Sequence, residues 1–220
     1  MDTEELGTQW DRICGGPSEQ SGRVHRSLVA SYSEPSRRYH GLAHVVGVVT
    51  RVNDLAQSQP TSHDGTTKHP AAAADLEAAV MAAWYHDVVY DPVVGGNEVA
   101  SAERAMRELY GLGLAAPFVK QVSDLVLMTI EHRPTDTAGF ILADADLWTL
   151  GGSEPDYFAY GDLIRQEYAH VPDPAWRRGR AAFIEMFLGR PHIFHTPRGR
   201  AERETQARRN LRSELSRLTC

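Results

Sequence analysis

Three short stretches of this sequence place imidazoles and carboxylates inside otherwise apolar segments. The sharpest is His86-Asp87, within Ala82-Ala-Trp-Tyr-His-Asp-Val-Val-Tyr-Asp91. Burying an imidazole and a carboxylate beside Trp84 and Tyr85 costs free energy unless they are paired or hold a cation. Adjacent residues point about 100° apart on a helix, yet both can reach one ion off the helix flank. The alternative is a helix-end His followed by an Asp that caps the next turn. The second stretch is Tyr39-His40-Gly-Leu-Ala-His44. His40 and His44 are four residues apart and share one helix face. That spacing suits two ligands of one metal, or one ligand and one orienting residue. No Glu follows His40, so this is not an HExxH protease motif. The third stretch is Leu142-Ala-Asp144-Ala-Asp146-Leu-Trp-Thr-Leu-Gly151. Two carboxylates in an apolar run need a reason. Two residues apart on a helix they point to nearly opposite sides, so one ion takes only one of them. The other can cap a helix start.

Side chains so far apart in sequence need rigid elements to converge, and the hydrophobic periodicity is helical nearly throughout. Helices are expected over about Thr3–Ile13, Arg23–Ser33, Gly41–Ala56, Ala71–His86, Glu98–Tyr110 and Pro117–Glu131. A shorter helix is expected to include Ala143–Leu150, and others are expected over about Pro155–Tyr168, from after Pro174 to about Leu188, and over about Ala201–Leu218. Phe140–Leu142 is the one candidate strand. Residues 57–70, QSQPTSHDGTTKHP, are polar and broken by Pro and Gly, which marks a loop. There is no internal repeat, and the segment before that loop makes a poor independent core. The expected fold is therefore a single all-α domain, a helical bundle spanning 1–220.

Taken in order, His44, His86-Asp87 and Asp146 resemble the signature of the HD superfamily of metal-dependent phosphohydrolases. The likeness is closest to predicted bacterial HD phosphohydrolases of about this length. Matching stretches are Arg38-Tyr-His-Gly-Leu-Ala-His44, Tyr85-His-Asp-Val-Val-Tyr-Asp91 with Asn97-Glu98, and Asp144-Ala-Asp-Leu-Trp-Thr-Leu-Gly151. Weaker matches are Ile164-Arg-Gln-Glu-Tyr168 and Ala207-Arg-Arg-Asn-Leu211. Together they run from about residue 7 to 218. The resemblance implies a helical bundle of the HD-domain type in which His44, His86, Asp87 and Asp146 bind one divalent ion. Asp146 is preferred to Asp144 because Ala145-Asp146-Leu-Trp resembles the family's Ala-Asp-x-Leu ending.

The implied activity is hydrolysis of a phosphoester, nucleotides among the candidates, by a metal-activated water. Two His and two carboxylates leave positions for water and substrate. Mixed N/O ligation leaves Mn, Fe, Ni, Co, Mg and Zn open. Asp87 can also orient the attacking water. His40 can assist proton transfer, and His132 can protonate the leaving group; each can instead be a structural His. Arg38 and Arg165 are candidate phosphate clamps, since a guanidinium fork matches phosphate oxygens; Arg165 can instead pair with a buried Glu. Glu98 can bind substrate hydroxyls or help hold the metal, whereas Asp91 and Asn97 suit a turn and a cap. His25, His63, His69, His170, His192 and His195 need no special role. Two other functions compete. A di-iron HD-type oxygenase would need extra ligands, for which His40, His132 and Glu98 are candidates. A metal-stabilised ligand-binding domain would hold metal without turnover.

Composition narrows the partners. Apolar residues are 42% and charged residues 24%, which excludes wholesale disorder. The net charge of −6 argues against a coat for duplex nucleic acid. Residues 171–220 hold eleven Arg and five acids, and the rest is strongly acidic. That tail can face phosphates, pair with acidic groups or form a solvated helix face. Cys14 and Cys220 allow one disulfide but no disulfide framework. The N-terminal Met1-Asp-Thr-Glu-Glu-Leu has no signal-peptide h-region, and no apolar run approaches the roughly 20 residues of a membrane span. A cytoplasmic protein with a small-molecule substrate and no membrane partner is expected; the oligomeric state is left open.

Overall fold

The computed structural model describes residues 3–58 and 73–219. The fold is all-α, and no strand occurs among the described residues. The first helices are α1 (Thr3–Ile13), α2 (Glu19–Tyr32), α3 (Leu42–Gln57) and α4 (Ala73–Tyr85). They are followed by α5 (Asn97–Gly111), α6 (Ala116–Met128) and α7 (Thr137–Asp146), then a 3₁₀ turn at Leu147–Gly151. The remaining helices are α8 (Glu154–Glu167), α9 (Asp173–Leu188), the short α10 (Pro197–Gly199) and α11 (Thr205–Thr219). A π-helical stretch, Arg200–Glu204, joins the last two. No helix among the described residues is long and apolar enough to cross a membrane. The polar loop lies outside the described residues from residue 59 on, as do His63, His69, the expected helix start at Ala71, and Cys220.

The helices group into two compact units, 1–145 and 146–220. In the first, α4 is central and packs against α3, α5 and α6. Every residue from Ala78 to Tyr85 is buried, which is why this helix is apolar all round rather than on one stripe. Val45, Val48, Val49, Val52 and Leu55 give α3 the single apolar face that meets it. In the second unit, α9 and α11 pack together, and the 3₁₀ turn lies against α11 and the π-helical stretch. Gly151 makes that approach possible, since a Cβ there would stand 2.8 Å from the Arg203 carbonyl oxygen.

Two expected elements differ. Phe140–Leu142 is not a strand but the middle of α7, which begins at Thr137 rather than near Ala143. Asp136 starts this helix: its Oδ1 accepts from the Gly139 amide (2.7 Å), and its carbonyl accepts from the Phe140 amide (2.9 Å). Nearly every residue of α7 is buried, so its sequence carries no face to reveal a period. Helix α2 begins at Glu19, a turn before Arg23, because Ser18 and Ser21 form a reciprocal capping box.

Candidate metal centre

Helix α4 delivers His86 at its C-terminal end, where the His86 amide still donates to the Ala82 carbonyl (2.8 Å). His86 Nδ1 lies 2.8 Å from the Ala83 carbonyl oxygen. A carbonyl only accepts, so Nδ1 carries a proton, and Nε2 is the nitrogen turned into the cluster. That Nε2 lies 3.1 Å from His44 Nε2 and 3.1 Å from Asp87 Oδ2. His44 Nε2 is 3.5 Å from the same carboxylate oxygen. The three side chains are only 5% (His44), 1% (His86) and 17% (Asp87) exposed, so water does little to offset repulsion among their lone pairs. Positive charge, from a proton or a cation, must sit between them.

Asp146, the last residue of α7, joins the two histidines in a set that does not include Asp87. His44, His86 and Asp146 each offer one ligand atom, and these atoms lie within 4.8 Å of one another. Ligand atoms around one ion at bonds of 2.0–2.2 Å stand about 3–4.4 Å apart, so only small side-chain movement would close the set on a metal. The His/His/Asp cluster can therefore hold a metal ion. All but the final residue of α7 fall in the first unit, so this helix carries Asp146 as a continuation of that unit. Asp144, two residues earlier, is fully buried and is not in the group.

The segments bearing these ligands are tied together by two residues that sequence reading missed. Tyr32 Oη donates to the Trp84 carbonyl (3.0 Å) and accepts from the Asp87 amide (3.3 Å), which caps the end of α4. Arg37 Nη1 donates to the carbonyls of His40 (3.1 Å) and Asp87 (2.6 Å), and Nη2 to that of Val88 (2.9 Å). Burial alone would raise the Asp87 pKa. The neighbouring His86 and His40, with hydrogen bonds from His44 and His86, outweigh it and hold this carboxyl well below the usual range.

His40 precedes Gly41, the N-cap of α3, and so does not share a helical face with His44. Its ring nonetheless comes to 5.7 Å from that of His44 and packs on Tyr90 at 4.5 Å. Glu98 is half-buried in the first turn of α5. Ser101 Oγ on that helix accepts from the Val89 amide (3.0 Å), and Asn97 Oδ1 accepts from the Asp91 amide (2.9 Å). The start of α5 is thereby fixed along the segment that follows Asp87. Asp91 Oδ1 in turn accepts from the Val93 amide (2.8 Å), so Asp91 and Asn97 form the turn and clasp that their types suggest.

Arg38 is exposed, whereas its neighbour Arg37 is buried. Arg165 belongs to the second unit. Its guanidinium donates to the carbonyls of Tyr168 (2.6 Å) and Val171 (3.2 Å) and pairs with Asp173 (2.6 Å). It locks the α8–α9 turn, and its acidic partner is an exposed Asp rather than a buried Glu. His132 adopts φ 48° in the turn before α7, while Asp146 ends that helix. Its neighbours Glu131 and Arg133 line a separate cleft of about 640 Å³ between α6 and the start of α7. Cys14 is half-buried, and burial, with Asp11 adding, pushes its thiol up to about 12, which makes it a poor nucleophile.

Searches against protein-family models, curated proteins and solved structures find no match to this chain.

Proposed function

We propose that this chain is a metal-dependent hydrolase of phosphoesters, nucleotides among them, and that residues 1–220 form an all-α domain of the HD type in a cytoplasmic protein. One observation carries the reading. His86 commits its Nδ1 proton to Ala83 and turns its Nε2 toward His44 Nε2 and the Asp87 carboxylate, each at 3.1 Å. Metal-ligating His residues use their second nitrogen in this way. A divalent ion held by His44, His86, Asp87 and Asp146 would supply positive charge for a phosphoryl oxygen and lower the pKa of a water.

The chain's own residues supply the rest. Asp87, held ionised, accepts a hydrogen bond from the attacking water and orients it. His40, half-buried beside His44, is placed to pass a proton to solvent. Glu98 and the exposed Arg38 are candidates for contacts to substrate hydroxyls and phosphate, and His132 for protonating the leaving group.

The test is metal analysis of the purified protein, then assay of a phosphoester panel with Mn, Fe, Ni, Co, Mg or Zn added. Turnover is expected with at least one ion, reduced about 100-fold or more in Asp87→Ala. A folded, metal-loaded protein with no activity above that variant across the panel would falsify the hydrolase reading and leave a ligand-binding domain. Two irons per chain with an oxygen-dependent optical change would instead favour a di-iron oxygenase.

A further inference from the structure

We infer that Arg37 is the positioning residue of this centre, fixing the distance between the two backbone segments that carry its histidines. The inference rests on the metal-site reading but not on the reaction assigned to it. The Arg37 side chain is only 2% exposed, and its one ionic partner among the described residues, Glu34, is 3.6 Å from Nε and half exposed. Burying a guanidinium with so loose a counter-charge is costly. The compensation lies elsewhere. Three main-chain carbonyls accept from its two terminal nitrogens, one from His40 before α3 and two from Asp87 and Val88 after α4. The guanidinium also lies over Tyr32 (5.1 Å) and Tyr90 (5.5 Å), aromatic faces that suit a weakly hydrated cation.

One planar fork thus spans the start of the helix bearing His44 and the turn bearing His86 and Asp87. The 3.1 Å between the two Nε2 atoms depends on where those segments stand. Lysine keeps the charge, but its single ammonium lacks the fork.

Electrostatics and positioning predict opposite signs. A buried positive charge beside a cation site repels the ion, so its removal alone would tighten metal binding. Loss of the clamp would weaken it, because the ligands would have to be reordered on binding.

The experiment compares the full-length protein with Arg37→Lys and Arg37→Met. Hydrogen–deuterium exchange of the metal-free proteins comes first. Faster exchange is expected in residues 39–46 and 84–90, with α6 and α9 unchanged as references. Co²⁺ titration by visible absorbance follows, and affinity is expected to fall about 10- to 100-fold, the range for residues that orient metal ligands. Arg37→Lys keeps the charge and most of the volume, so it remains informative if Arg37→Met does not fold. Wild-type exchange in both segments of Arg37→Lys overturns the proposal. So does Co²⁺ affinity that is unchanged or higher in either folded variant. If the wild-type protein takes up no Co²⁺, the metal reading fails while the exchange measurement still decides the clamp. Co²⁺ uptake without turnover leaves the clamp standing and removes only the hydrolase.

Discussion

His25 illustrates burial acting on a titratable group outside the candidate centre. Its ring stacks on Trp10 at 5.3 Å and meets Trp84 edge-on at 4.9 Å, and its buried Nε2 has no hydrogen-bond partner among the described residues. Burial, with Arg26 adding, lowers its pKa despite the nearby Asp11. The unfolded chain therefore binds a proton around pH 6.5 that the folded protein takes up only at lower pH. The stability this provides is complete above that value and declines as pH falls through it. His25→Phe keeps an aromatic ring between the tryptophans and removes the proton. The fall in Tm from about pH 7.5 to about pH 5 is expected to be shallower in the variant. Parallel Tm profiles for variant and wild type would show that His25 does not contribute. At this scale the sequence was informative about candidate ligands and silent about their support. His44, His86, Asp87 and Asp146 stand out because ionisable groups in apolar runs demand an explanation. Arg37 does not: in Arg37-Arg38 nothing tells the buried residue from the exposed one, and its carbonyl acceptors have no residue type.

Helix α2 owes its first turn to two hydroxyls. Ser18 Oγ accepts from the Ser21 amide (3.0 Å), and Ser21 Oγ accepts from the Ser18 amide (3.2 Å). Ser18→Ala is expected to cost about 1 kcal/mol in urea unfolding, the usual value of an N-cap. A loss of no more than a few tenths would mean that water replaces the cap without penalty. The box was illegible because Ser rather than Glu or Gln stands at its third position. Helices with one apolar stripe, such as α3, were located to within a residue or so. Largely buried α7 was not, since periodicity fades when nearly every side faces protein. The same property made α4 obvious by a different route: an apolar run that long, ending in His-Asp, has nowhere to go but the core.

Across the molecule, the Arg-rich tail is largely used in building the second unit. Arg208 pairs with Glu204 and donates to the carbonyls of Leu188, Arg190 and Pro191. Arg177 donates to those of Arg217 and Leu218, and Arg203 to that of Gly151. Composition suggested acidic partners or solvent, and could not foresee backbone acceptors. Arg180 is the deepest case. Its fork meets both Glu214 oxygens at 2.8 and 3.1 Å, and Tyr157 donates to the same carboxylate. Glu214→Ala strands a buried cation and is expected to destabilise by about 3–5 kcal/mol in urea unfolding. Arg180→Met combined with Glu214→Leu should recover most of that loss; a double variant no better than the single would mean the pair matters for more than its charge. The carbonyl-bound Arg37 invites a different, genetic expectation. Every residue type has a main-chain carbonyl, so positions 40, 87 and 88 can all drift without releasing the guanidinium. By the same token, no change of side chain at those positions can restore a lost Arg37. Suppressors of such a loss must bring a new donor from elsewhere in the chain, which makes this one codon a single point of failure.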